Sequence, residues 1–226
     1  MKATYYGHSC LQLEIAGKFL LIDPFISPNE KAAHIDLDGL KPDYLLLTHG
    51  HEDHVADAVH IAENSGAQVI ANFEVANWIS KRNIENVQPL NQGGTVQLGS
   101  CSVKAVNAIH SSSMPDGSYG GNPLGYVICS DEGNFYHSGD TALTYDMKLI
   151  AEFTELDAAA LCIGDLFTMG ITDAVTAAKW AGAKQVIGLH YDTFPPIEID
   201  HDGARQSFAD AGIELNLLEI GDSLEL

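Results

Sequence analysis

Residues 49–54 read HGHEDH, three imidazoles and two carboxylates in six positions, directly behind the apolar run YLLLT (44–48). Ionisable groups crowded at the end of a buried strand are costly to hold unless something binds them. Imidazole and carboxylate together suit zinc and its first-row neighbours. On an extended turn, His49 and His51 can present their rings to one ion, while Asp53 and His54, at the start of the next helix, can serve a second. A solvated polar turn is the plainer alternative, but that spacing behind a buried strand is hard to reach by chance.

Further ligands are expected at other strand ends. His110 closes SVKAVNAIH, Asp140 follows NFYHSG, and His190 closes KQVIGLH, each a lone ionisable group at the end of an apolar run. Alone, each could be a satisfied buried residue. Together, five histidines and two aspartates complete one site of three imidazoles and a shared carboxylate, and another of two imidazoles and two carboxylates.

These residues need strands to carry them. Apolar, β-rich runs recur at 3–15, 18–25, 44–48, 67–72, 94–109, 124–131, 134–139, 157–164, 184–190 and 213–221, several alternating with period two. Helices are expected at 55–66, with Val55, Val59 and Ala62 on one stripe, and at 74–83, 144–153, 172–183 and 204–212, with Thr172 as an N-cap. The order predicts one α/β domain over residues 1–226, a four-layer αββα sandwich of two β/α halves. SSSMPDGSYGGNP (111–123) is the one long polar loop, a usual place for function. The apolar helix EVANWI, or a free strand edge, could pair two copies in a homo-oligomer.

Composition narrows the partners. Eleven basic against 31 acidic residues give a net charge of −20, which two divalent cations would lower only to −16. A nucleic-acid binder carries a basic face, so such partners are disfavoured and a small-molecule substrate is expected. No apolar run approaches the roughly 20 residues of a membrane helix, and MKATYYGHSC lacks a signal peptide's apolar centre. Cys10, Cys101, Cys129 and Cys162 are scattered and read as small buried hydrophobes. A cytoplasmic location is expected.

THGHEDH resembles the H-x-H-x-D-H signature of the metallo-β-lactamase superfamily, and His110, the GDT around Asp140 and the LHYD around His190 match its later motifs in order. GHSC (7–10), HSGDTALTYDM (137–147), IGDLFTMG (163–170) and HYDTFPPI (190–197) are similar to a branch of small prokaryotic metal-dependent hydrolases of unassigned substrate, itself similar to the ascorbate-6-phosphate lactonases. The resemblance implies that His49, His51 and His110 hold one ion, that Asp53, His54 and His190 hold the other, and that Asp140 bridges them. It leaves Glu52 free.

The activity expected is therefore dinuclear hydrolysis of a small ester, lactone or phosphodiester. Cations about 3.5–4 Å apart acidify a bridging water to hydroxide and polarise the scissile oxygen. Zinc is the leading metal, with manganese, iron or nickel as substitutes. Asp53, Asp140 and His8 are the expected catalytic groups. His8 could be a general acid, a phosphate-binding group or a histidine at a bulge. Asp23 could orient a ligand imidazole or simply start a turn before Pro24. His137, Asp165, Tyr191 and Asp192 could line the pocket, whereas His34, His60 and His201 read as surface residues. The competing readings are an RNA- or DNA-directed phosphodiesterase, a diiron redox protein and a non-catalytic metal-binding module.

Overall fold

Period-two alternation sets the inner faces of the first strands. In Cys10–Ile15, Leu11, Leu13 and Ile15 are buried in the central core while Gln12 and Glu14 stay partly exposed. The computed structural model describes all 226 residues, in fourteen strands and six α-helices. β1 (Lys2–Gly7), β2 (Cys10–Ile15), β3 (Lys18–Ile22), β4 (Tyr44–Leu47), β5 (Gln68–Ala71) and β6 (Val87–Pro89) form the first sheet. β7 (Thr95–Leu98), β8 (Cys101–Asn107), β9 (Leu124–Ser130), β10 (Gly133–His137), β11 (Ala158–Cys162), β12 (Gln185–Leu189) and β13 (Glu214–Asn216) form the second. The chain then returns to the first sheet as β14 (Ser223–Glu225), antiparallel to β1.

Each sheet opens as an antiparallel meander and continues as parallel strands joined through helices. The parallel strands are apolar throughout because both faces are covered. In β4, Leu46 faces the core between the sheets while Leu45 and Leu47 face the helices outside. On the first sheet these are α1 (Glu52–Val55), α2 (Ala58–Ser65) and α3 (Phe73–Ser80); on the second, α4 (Met147–Phe153), α5 (Ile171–Ala181) and α6 (His201–Asp210). One apolar cluster mixes residues of both sheets, and one lies under each helical layer, which is the expected αββα sandwich. No helix is long and apolar enough to cross a membrane.

Several expected boundaries move. The helix expected over 55–66 is broken after Val55, because Asp57 turns inward to accept the backbone N–H groups of Ile26 and Ser27 and the Ser27 hydroxyl. Its buried stripe is Val55, Ala58, Ile61 and Ala62, with Val59 only half-buried. Gly170, not Thr172, is the N-cap of α5, which starts one residue earlier than expected. The apolar face of α3 packs on its own sheet through Val75, Ala76 and Ile79.

Candidate metal centre

Strands β1, β3 and β4 of the first sheet run in one direction, as do β8, β10 and β12 of the second, and these six bring their carboxyl ends to one pole of the sandwich. His8, Asp23, His49, His110, Asp140 and His190 lie at or just beyond their carboxyl ends, the edge at which α/β sheets place ligands. The sheets are tied there by the Leu124 N–H on Thr48 O (2.9 Å), the Tyr126 hydroxyl on Leu47 O (2.7 Å) and the His190 N–H on His8 O (2.8 Å). Six of the eight non-glycine residues with positive φ also sit at this pole: His8, Asp23, Asp165, Leu166, His190 and Asp192. Such backbone costs about 1–3 kcal/mol per residue and gathers at functional sites.

The seven ligand candidates converge. His49, His51 and His110 bring one nitrogen each to a common point, His49 Nε2 lying 2.9 Å from His51 Nδ1. Asp140 Oδ2 lies 3.0 Å from His190 Nε2, 3.3 Å from His54 Nε2 and 3.6 Å from His110 Nε2. Asp53 Oδ2 stands 3.7 Å from His190 Nε2 and 3.9 Å from His54 Nε2. His54 Nε2 and Asp140 Oδ1 are buried with no hydrogen-bond partner. Buried polar atoms are normally paired, so these aligned donors fit divalent cations.

Hydrogen bonds fix which nitrogen is free. Asp23, fully buried, accepts the Thr48 N–H on Oδ1 (2.8 Å), and both the Thr48 hydroxyl (2.6 Å) and His54 Nδ1–H (2.7 Å) on Oδ2. With the Thr48 proton committed to Asp23, His49 Nδ1–H donates to Thr48 Oγ1 at 3.0 Å. Both rings therefore point bare Nε2 lone pairs into the cluster, as orientation by neighbouring acceptors requires. His51 Nε2 meets Ser111 Oγ at 3.3 Å, leaving Nδ1 inward. His190 Nδ1 has no partner; its ring is held by packing on His8, centroids 4.1 Å apart.

The electrostatics follow from crowding acids among imidazoles. Burial opposes charge on His54, but Asp140, Asp23 and Asp53 outweigh it and hold its pKa well above the ordinary value. Burial likewise opposes charge on His190, yet Asp140 and Asp53 bring it to about 9. Burial would raise Asp53 and Asp140, but the surrounding imidazoles pull both well below the carboxylate range. Burial lowers His49, His51 and His110.

The remaining expected residues divide. Burial lowers His8 to about 4. Its Nε2–H donates to Asp53 Oδ2 (3.0 Å) and its Nδ1 accepts from the Thr193 hydroxyl (2.9 Å). Both of its nitrogens are thereby engaged, one of them with Asp53. His137 lies behind the site: its Nδ1 accepts the Gly139 N–H (3.1 Å) and its Nε2 meets Ser9 O (3.4 Å), joining the Asp140 loop to the His8 turn. Tyr191 and Asp192 line a separate cavity behind His8. Asp192 accepts the Ile199 N–H (3.0 Å) and His201 Nε2–H (2.6 Å), so His201 is partnered and not simply a surface histidine. Asp165 faces the outer cleft between α5 and α6, because its backbone is turned by the bond from its own N–H to Met169 O (3.0 Å).

Thr48 and Thr193 carry no signal of their own in the sequence, and Ser111 only opens the polar loop 111–123, though Thr48 and Ser111 are each next to a ligand candidate in the chain. Those two could have been found by asking what holds each ring. A cleft of about 380 Å³ is lined by His51, Asp53, His110, Asp140 and His190 together with Ser111, Leu166, Phe167 and Phe194.

This fold and this ligand set define the metallo-β-lactamase class, and a family model described as a β-lactamase superfamily domain matches residues 2–190. The chain belongs to that superfamily, and within it to the UPF0173 metal-dependent hydrolases. A relative so named from Christiangramia forsetii is 51% identical over the whole of both chains. Igni18, a metallo hydrolase from Ignicoccus hospitalis, is 32% identical and superposes with a TM-score of 0.90 over 100% of this chain and 98% of that one. An isothiocyanate hydrolase from Delia radicum gut bacteria shares the fold at 19% identity, with a TM-score of 0.80 over 100% of this chain and 99% of that one.

Proposed function

We propose that the protein is a dinuclear metal-dependent hydrolase of a small ester, lactone or phosphodiester, using zinc or a neighbouring first-row cation. One observation carries the reading. Asp140 Oδ2 stands within 3.0–3.6 Å of the Nε2 atoms of His190, His54 and His110, which come from both imidazole clusters, as a carboxylate shared by two ions would. When bound, two such cations acidify a water and polarise a carbonyl or phosphoryl oxygen.

The chain's own groups do the rest. His49, His51 and His110 face the cleft from one side and His54 and His190 from the other, with orientations set by Thr48, Asp23, Ser111 and His8. Asp53 is the carboxylate open to the cleft, its side chain 26% exposed. His8 holds its Oδ2, leaving Oδ1 to take a proton from water and return it to the leaving group. Leu166, Phe167 and Phe194 add an apolar lining to the same cleft. The charge of −20 supports a small substrate over a nucleic acid. Four unpaired cysteines support a reducing compartment, and so the cytoplasm.

The test is turnover of γ-butyrolactone and of bis-p-nitrophenyl phosphate by zinc- or manganese-loaded protein, beside Asp140→Ala. Turnover that disappears in the variant supports the reading. Equal turnover in the variant would sink the shared-carboxylate role, and no turnover by fully loaded protein would sink the hydrolase.

A further inference from the structure

We propose that Leu166, Phe167 and Phe194 form the specificity wall of the metal cleft, and that the substrate is an uncharged ester or lactone carrying an apolar chain of about four carbons or more. The inference rests on the hydrolase reading and narrows its substrate class.

The wall is held open at a cost. Leu166 is 66% exposed, Phe167 53% and Phe194 39%, yet all three line the same cleft as Asp53, Asp140 and His190. Scattered exposed apolar residues need no explanation, but several on one wall of a ligand-lined cleft mark a binding surface. The backbone adds a second, independent sign. Asp165 and Leu166 are consecutive left-handed residues, with φ of 59° and 38°. For a bulky residue such as leucine this is a true outlier, of the kind kept at ligand clamps. The turn is pinned on both sides: Asp165 N–H to Met169 O, Thr168 N–H to Asp165 O, and Met169 N–H to Thr141 O, next to the ligand Asp140.

Charge selects the occupant. No lysine or arginine lines the cleft. Lys31 and Arg205 line the separate cavity behind His8. Arg82 is spent on Trp78 and on Asp116 at 3.6 Å. A phosphate or carboxylate on the substrate's non-reacting part would therefore find no lysine or arginine to pair with in the cleft, within a chain of net charge −20. An alkyl chain would be desolvated there favourably. Hydrolysis then adds water across the acyl C–O bond: the water oxygen joins the carbonyl carbon, and the departing alkoxide leaves with a proton.

The experiment compares γ-butyrolactone with γ-octanolactone, which differ by four carbons, using the metal-loaded protein and a proton-release assay. In parallel, calorimetry measures binding of acetohydroxamic and hexanohydroxamic acids, which also differ by four carbons. Complete burial of four methylenes is worth about 200-fold. We expect the longer member to win by between about tenfold and about 200-fold in kcat/KM and in Kd. In Leu166→Ser/Phe167→Ser, whose changed side chains are exposed and leave the fold intact, the preference should shrink below about threefold with metal content unchanged. Turnover without chain-length preference, or a preference that survives the double variant, would overturn this inference and leave the hydrolase standing. Turnover of bis-p-nitrophenyl phosphate but of neither lactone would overturn this inference alone, whereas absence of turnover of all three by protein carrying two metals would overturn both. Concentration-dependent dimerisation abolished by the double variant, without chain-length preference, would assign the wall to a subunit contact instead.

Discussion

Asp23→Asn is the most informative single change, because it alters one buried group and almost no volume. Asp23 accepts three hydrogen bonds, from the Thr48 N–H, the Thr48 hydroxyl and His54 Nδ1–H, at 2.8, 2.6 and 2.7 Å. An asparagine can keep the first through its carbonyl, but then turns an NH₂ toward Thr48 Oγ1 and His54 Nδ1. Two donors cannot face each other, so His54 is driven to the tautomer with its proton on Nε2, the atom aimed 3.3 Å from Asp140 Oδ2. The Thr48 hydroxyl loses its acceptor as well, and with it the bond that fixes His49 weakens. Loss of such an orienting partner lowers metal affinity by about 10–100-fold, or about 1.4–2.7 kcal/mol. Competition against a chromophoric zinc chelator reads the affinity, and nitrogen NMR of His54 reads the tautomer. A zinc Kd within twofold of the parent, with His54 still protonated at Nδ1, would refute the orienting chain from Asp23.

The architecture makes further commitments. A Cβ at Gly164 would lie 2.0 Å from His190 O, so Gly164→Ala should destabilise the protein by more than about 2 kcal/mol in denaturant unfolding and lower metal content by displacing His190. The buried Tyr126 hydroxyl ties the second sheet to Leu47 O at 2.7 Å, next to the ligand turn, and Tyr126→Phe should cost about 1–2 kcal/mol by the same assay. Metal bound at about a thousand times its Kd contributes about 4 kcal/mol, so chelation should lower Tm by roughly 10 °C in scanning calorimetry. A Tm indifferent to chelation would mean that the cluster holds no ion in the folded protein.

What the sequence made legible, and what it hid, divides on physical lines. Ligands announce themselves because an ionisable group ending an apolar run is costly without a partner; all seven expected here converge. Their supports are harder to read. Asp23 and His54 are 31 positions apart and His8 and Asp53 are 45 apart, and no periodicity encodes which carboxylate reaches which ring. Side-chain direction at the strand ends fails for a local reason. Asp165, His190 and Asp192 have left-handed backbone, which breaks the alternation that would have said where each points. Asp165 and Asp192 were therefore expected at the metal cleft and face elsewhere. The strands legible by alternation belong to both sheets, but three-residue edges such as β6 and β14 are too short to show a period. The loop 165–171 is expected from the sequence to help build the pocket, but nothing in the sequence says which of its side chains line the cleft; the fold puts Leu166 and Phe167 there.

The central claim is that two cations share this cluster through Asp140. Elemental analysis of protein purified without added metal or chelator tests it directly, beside His110→Ala and His190→Ala. The account predicts near two equivalents per chain of zinc, manganese or iron, with a fall in each variant. A chain that carries no metal and takes up none on reloading, or two equivalents untouched by both substitutions, would contradict it.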